Sequence, residues 1–196
     1  MDAYQLSAHQ IIEKYSSGQR NFDRIDLREH QLQAIELPDV SLCWADLTSA
    51  NLKQTKFDRA NLTGATLWRA DLRGASLRWV NLHKAVMVRC DAEKASFSGA
   101  CLHRSDLRLA NLQMASFAGA NLRGAKLCYS DLRGADLTGA DLTGADLTGA
   151  KLTGSCMESA CLQATVLNSD QVESSAPPEP DPSSDESLQQ QTLAAV

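Results

Sequence analysis

From Phe22 to Leu167 every fifth residue of the chain is apolar, and no insertion or deletion breaks the count. Leu or Phe fills 27 of these 30 positions, and all four phenylalanines fall on them. The other positions have characters of their own. Two before each centre Ala holds 18 of 30 places, and one before it Asp or Asn recurs, as at Asn51, Asn61, Asp71, Asn81 and Asp91. Two after it lie ten of the eleven glycines. The consensus is A-(D/N)-L-x-G. A period of five suits neither a strand, which repeats every two residues, nor a helix, which repeats every 3.6. It suits a chain that turns a corner every five residues. The centre and the small residue two before it then point inward, the polar residues point outward, and Gly or Asx eases the corner. Four such sides close a coil of 20 residues. Coils stacked about 4.8 Å apart predict an all-β solenoid of about 7.5 coils, a rod of roughly 36 Å.

Twenty residues per coil puts Phe57, Leu77, Phe97 and Phe117 in one vertical column, which a three- or five-sided coil would scatter. With Leu112 they form the predicted core ladder. Ala92, the one undersized centre, shares a coil with Phe97, whose ring is expected to fill the space it leaves. Residues 1–20 read as an N-terminal helical cap. A helix is predicted over residues 3–16, with Tyr4, Ala8, Ile11 and Tyr15 on one face and Gly18 ending it in a left-handed turn. The first small inward positions, Arg20, Ile25, His30, Ile35 and Val40, break the Ala rule, as a coil covered by that helix would. Residues 21–168 are the repeat domain. Residues 169–196 hold four of the five prolines, six acids and no base, so a disordered acidic Pro/Ser/Gln tail is expected there.

Unbroken A-(D/N)-L-x-G over residues 22–168 resembles the pentapeptide-repeat family. The resemblance implies a right-handed quadrilateral β-helix. The lead-in IIEKYSSGQRNF is similar to that of many cyanobacterial members. Family members also imply two further possibilities: a homodimer through the C-terminal coil, and DNA mimicry directed at type II topoisomerases, which requires a rod acidic along its length.

Charge argues against the second. The chain carries 19 Lys and Arg against 24 Asp and Glu, net −5, but unevenly. Residues 1–52 are net −4, residues 53–133 net +8 and residues 134–196 net −9. The middle coils are positive where a DNA mimic needs negative charge. A long polyanion, nucleic acid or anionic lipid, meets acidic ends, and a short basic patch binds it only weakly and in a salt-sensitive way. No run of 18 apolar residues suggests a membrane span, and the N-terminus has no secretory pattern. The expected location is cytoplasmic, with the six cysteines reduced.

No phosphate-binding, dinucleotide, zinc-protease or C-x-x-C motif is present. The repeated Asp131, Asp136, Asp141 and Asp146 read as outward residues accepting local backbone hydrogen bonds. His83 and His103 stack one coil apart without an evident third ligand, and Cys90 reads as core packing. No cofactor, metal or catalytic residue is expected. The candidate partner-binding residues are Trp68, Arg69, Arg78, Trp79, Lys84, Arg89, Arg104 and Arg108, outward in the basic middle and of the types favoured at interfaces. The reading is a non-catalytic protein-interaction scaffold or regulator whose partner is a protein, with DNA mimicry and binding of nucleic acid or anionic lipid through the central basic coils as the alternatives.

Overall fold

The computed structural model of the protein describes residues 6–168. Parallel bridges join each residue before a centre to the residue twenty further on, from Asn21–Ser41 to Asp146–Val166. A corner every five residues and a bridge every twenty make a four-sided coil.

The repeat consensus follows from where the five backbone N–H groups of a side go. On the side centred at Leu47, Leu47 N donates to Thr66 O and Ser49 N to Trp68 O in the next coil, at 2.7 and 2.8 Å. Ala50 N closes the corner on Leu47 O at 3.0 Å, and Asn51 N reaches back to His30 O at 2.9 Å. That leaves the residue after the centre. Thr48 N is met by Asp46 Oδ1 at 3.0 Å, and the same bond recurs at Thr63, His83, Thr143 and Thr148. Asp or Asn before the centre therefore completes the accounting, which explains its recurrence. The corner residue takes positive φ throughout, at 60° in Trp44 and 66° in Gly64 for example.

Phe57, Leu77, Phe97, Phe117 and Leu112 are fully buried, each at 0 % exposure. The rings of Phe97 and Phe117 stack with centroids 4.9 Å apart. Where a hydroxyl replaces Ala at the small inward position it finds a carbonyl: Thr55 donates to Leu32 O, Ser105 to Leu102 O and Ser130 to Leu127 O. Cys90 is buried and its thiol is pushed up to about 12 by that burial.

The helix α1 runs Ala8–Ser16, so it starts later than residue 3. Leu6 and Ser7 are not helical, and Tyr4 lies outside the described residues. A capping box sets the start: Gln10 N donates to Ser7 Oγ and Ser7 N to Gln10 Oε1. Ile11 is buried against the first coil, and Tyr15 Oη donates to Pro38 O at 2.7 Å. Gly18, at φ 100°, turns the chain away. Arg20 lies over the Tyr15 ring, 3.9 Å from its centroid, and points outward. His30 presents its two ring nitrogens to Leu6 O and Arg28 O. At the other end Leu147 is fully buried, whereas Leu152, Met157, Leu162 and Leu167 are half-buried. The acidic tail at 169–196 lies outside the described residues.

Candidate docking surface

The chain visits four faces in turn. Face I is centred on Leu62, Leu82 and Leu102; face II on Leu67, Met87 and Leu107; face III on Leu72, Ala92 and Leu112; face IV on Phe57, Leu77 and Phe97. The eight candidate residues spread over three of them. Lys84 and Arg104 occupy the corner row of face I. Trp68, Arg69, Arg89 and Arg108 lie on face II, with Arg69 and Arg89 in its corner row. Arg78 and Trp79 lie on face IV, which adjoins face I as the coil closes.

Ion pairing divides the set further. Arg108 is held by Asp106, with Nη2 2.7 Å from Oδ2. Arg78 is held by Asp58 one coil below. Asp58 also accepts from Ser76 Oγ and Arg78 N, because Ser76 stands where an Asp or Asn would have met that N–H. Burial pushes the Asp58 carboxyl up, but the bonds from Arg78 and Ser76 outweigh it and hold the group below the ordinary aspartate range. Neither arginine is a free cation. Arg69, Lys84, Arg89 and Arg104 differ: among the described residues no carboxylate lies within 4.0 Å of them. By contrast every Lys and Arg of faces III and IV between Lys53 and Arg133 has a carboxylate partner. Two adjacent corner rows thus stack unneutralised like charges at strand spacing.

His83 and His103 stand beside that cluster, their rings stacked 5.3 Å apart. Each Nδ1 faces a carbonyl, His103 O at 3.0 Å and Arg123 O at 2.8 Å. A carbonyl only accepts, so Nδ1 carries the hydrogen and Nε2 faces out. Among the described residues no group of three or more His, Cys, Asp or Glu is arranged to hold a metal ion. No helix there is long and apolar enough to cross a membrane.

The tryptophans are partly structural. Trp68 is 38 % exposed, with the Arg69 guanidinium 5.2 Å from its ring centroid. Trp79 is 58 % exposed yet lies across Gly99 of the next coil. A Cβ on Gly99 would stand 2.6 Å from Trp79 Cδ1. Trp44 over Gly64, Met114 over Gly134 and Tyr129 over Gly149 repeat the arrangement. A large corner residue twenty before a glycine marks in the sequence where a side chain can lie flat across the next rung, but not which way it turns. Tyr129, outward by its place in the repeat, and Leu109, 64 % and 47 % exposed, continue the corner row of Arg69 and Arg89. Gly99→Ala should cost about 1 kcal/mol through its positive φ alone, a fall of a few degrees in Tm. It should also unseat Trp79, read as red-shifted tryptophan emission. Unchanged emission would mean that the indole does not rest on Gly99.

A family model described as pentapeptide repeats matches the chain in eight copies, over residues 25–64, 41–78, 75–113, 115–154 and 130–168. No curated protein matches it. Among solved structures, the chain is similar to HetL, a pentapeptide repeat protein involved in heterocyst differentiation regulation from the cyanobacterium Nostoc sp. strain PCC 7120. Identity is 27%, covering 82% of this chain and 96% of that one, with a TM-score of 0.26. It is similar to Rfr23 from the cyanobacterium Cyanothece 51142 at 23% identity, covering 80% and 97%, with a TM-score of 0.37. A pentapeptide repeat protein of the Arabidopsis thaliana thylakoid lumen is 29% identical, covering 60% and 68%, with a TM-score of 0.38.

Proposed function

Because this chain belongs to the pentapeptide-repeat family, whose right-handed quadrilateral β-helices hold side chains in fixed rows, we propose that it is a non-catalytic docking scaffold of the cytosol. Helix α1 is its cap, residues 21–168 are its rigid body, and its partner is a protein with an acidic surface. A second copy meets the half-covered last coil, which light scattering would read as a doubled mass. The observation that supports the partner reading is the cluster of Arg69, Lys84, Arg89 and Arg104. Among the described residues these cations have no carboxylate partner and stand in adjacent rows, while between Lys53 and Arg133 faces III and IV neutralise theirs. Like charges stacked at strand spacing repel, and an anionic surface laid across them relieves that cost. Backbone bonds fix the rows beforehand, so docking orders little beyond side-chain tips. Trp68 and Trp79 flank the cluster as aromatic anchors.

The test is capture from a native lysate with nuclease present, run beside the variant Arg69→Glu, Arg89→Glu, Arg104→Glu. Each reversal should cost an acidic partner on the order of 2 kcal/mol. One defined protein should therefore be retained by the parent and lost by the variant. Equal retention by both would remove the cluster from the interface. Recovery of nucleic acid alone, and only without nuclease, would overturn the reading in favour of a polyanion binder.

A further inference from the structure

The cationic rows have an anionic counterpart within the same chain. Residues 169–196 contain Asp170, Glu173, Glu179, Asp181, Asp185 and Glu186 and no Lys, Arg or His. Four of the acids fall between Glu179 and Glu186. This segment follows Asn168, which stands in the last described coil, three coils above Arg104 and five above Arg69. At about 4.8 Å per coil those distances are about 14 and 24 Å. Thirteen residues from Asn168 to Asp181, at about 3.3 Å each, reach about 43 Å when extended. Reach is therefore not limiting. Lys126, which among the described residues also lacks a carboxylate within 4.0 Å, stands on face II between the last coil and the cluster. The other two faces offer no comparable attraction, since their central cations are already paired.

We propose that the acidic segment 169–196 docks in cis on Arg69, Lys84, Arg89 and Arg104, so that an acidic partner must displace it. A tether of this length holds its acids near the cluster at an effective concentration of the order of millimolar. Contacts between exposed charges fade once added salt shortens the screening length below their separation. The segment thus acts as a weak, salt-sensitive occupant of the surface. This inference rests on the docking reading only in naming what is displaced.

The experiment is nuclear magnetic resonance of the ¹⁵N-labelled full chain. Signals of residues 179–186 are compared at low salt, at high salt, and in the variant Arg69→Gln, Lys84→Gln, Arg89→Gln, Arg104→Gln. In the parent at low salt they should be displaced or broadened. High salt and the variant should bring them to one common position. All four changes are at outward positions, and unchanged circular dichroism confirms that the variant folds. Identical tail signals in parent and variant overturn the proposal. So do displacements that grow with protein concentration, because they place the segment on a second copy. A second measurement uses a short polyglutamate peptide as probe. Converting the six acids to their amides should tighten its binding to the full chain about tenfold, and an unchanged Kd overturns the proposal. The resonance experiment contains no partner, so its failure leaves the scaffold reading intact. Retention of the partner by the triple-reversal variant, in turn, would bear only on that reading.

Discussion

Leu112→Asp should yield a chain with no cooperative melt and no β-rich circular dichroism, while Arg108→Ala keeps both. Leu112 is wholly enclosed, and its own N–H and that of Met114 donate to Asp131 O and Arg133 O of the next coil. A carboxylate there has no inward partner. Protonation spares the charge but leaves a polar group without water, at several kcal/mol. Loss of the leucine adds roughly 2–5 kcal/mol. Together these approach the whole stability of a typical domain, about 5–15 kcal/mol. A solenoid has no second core to fall back on, because each coil touches only its neighbours. Arg108 loses only an exposed ion pair with Asp106, of the kind that contributes about 0–1 kcal/mol. A normal melt for Leu112→Asp would overturn the inward assignment of every centre.

Acid should unfold the protein below about pH 4, and far more steeply than a single ion pair would allow. Asp131, Asp141 and Asp146 are held below the ordinary aspartate value of 3.8, first by side-chain bonds from Arg133, Thr143 and Thr148. Burial pushes Asp58, Asp71 and Asp106 up, but bonds from Arg78, Arg73 and Arg108 outweigh it, and these three are lowered as well. A carboxyl lowered in the fold binds fewer protons folded than unfolded. Its contribution is complete above the unfolded value and is lost as pH falls through the folded ones. The bonds concerned recur side after side, and the Asp Oδ1 atoms meet backbone N–H groups that nothing else satisfies. Protonation also removes the counter-charges of Arg73, Arg78, Arg108 and Arg133 and adds repulsion along the rod. Melts followed by circular dichroism should show a level Tm from about pH 7 to 5 and a steep fall below about 4. A level Tm down to about pH 3 would mean that the carboxylates do not hold the corners.

The fold was legible because one residue in five is a strict constraint. A four-sided coil returns each side above itself after twenty residues, and Phe97 and Phe117 could be placed in contact by arithmetic alone. The helix start was legible too, in Ser7 and Gln10, but the apolar spacing of Tyr4 and Ala8 drew the boundary too early. The docking surface was legible only in part. Rows could be drawn, but a row does not say which cations are neutralised. For Arg108 the answer was local. Asp-Leu-Arg puts an acid and a base on the same side of one coil, and it makes the same pair at Asp26, Asp71 and Asp131. For Arg78 the partner came from the coil below, from an Asp58 made necessary by Ser76. That depends on which N–H lacks an acceptor, which only the complete backbone accounting reveals. The seating of Trp79 on Gly99 depends likewise on side-chain direction, which the repeat leaves open.

The corner every five residues also governs how such a chain can change its length. Gain or loss of one side keeps every centre pointing inward, so the core survives. Everything beyond that point, however, is turned a quarter of the way round the axis. Inserted between Arg69 and Arg89, five residues would carry Arg89 to the neighbouring face. Inserted between Trp79 and Gly99, they would take the glycine out from under the indole. Only a change of twenty residues leaves both core and rows in place. Stability is thus inherited side by side, whereas surface pattern is inherited a coil at a time. Variants of this protein that differ in length by five or ten residues should fold alike and recognise different things.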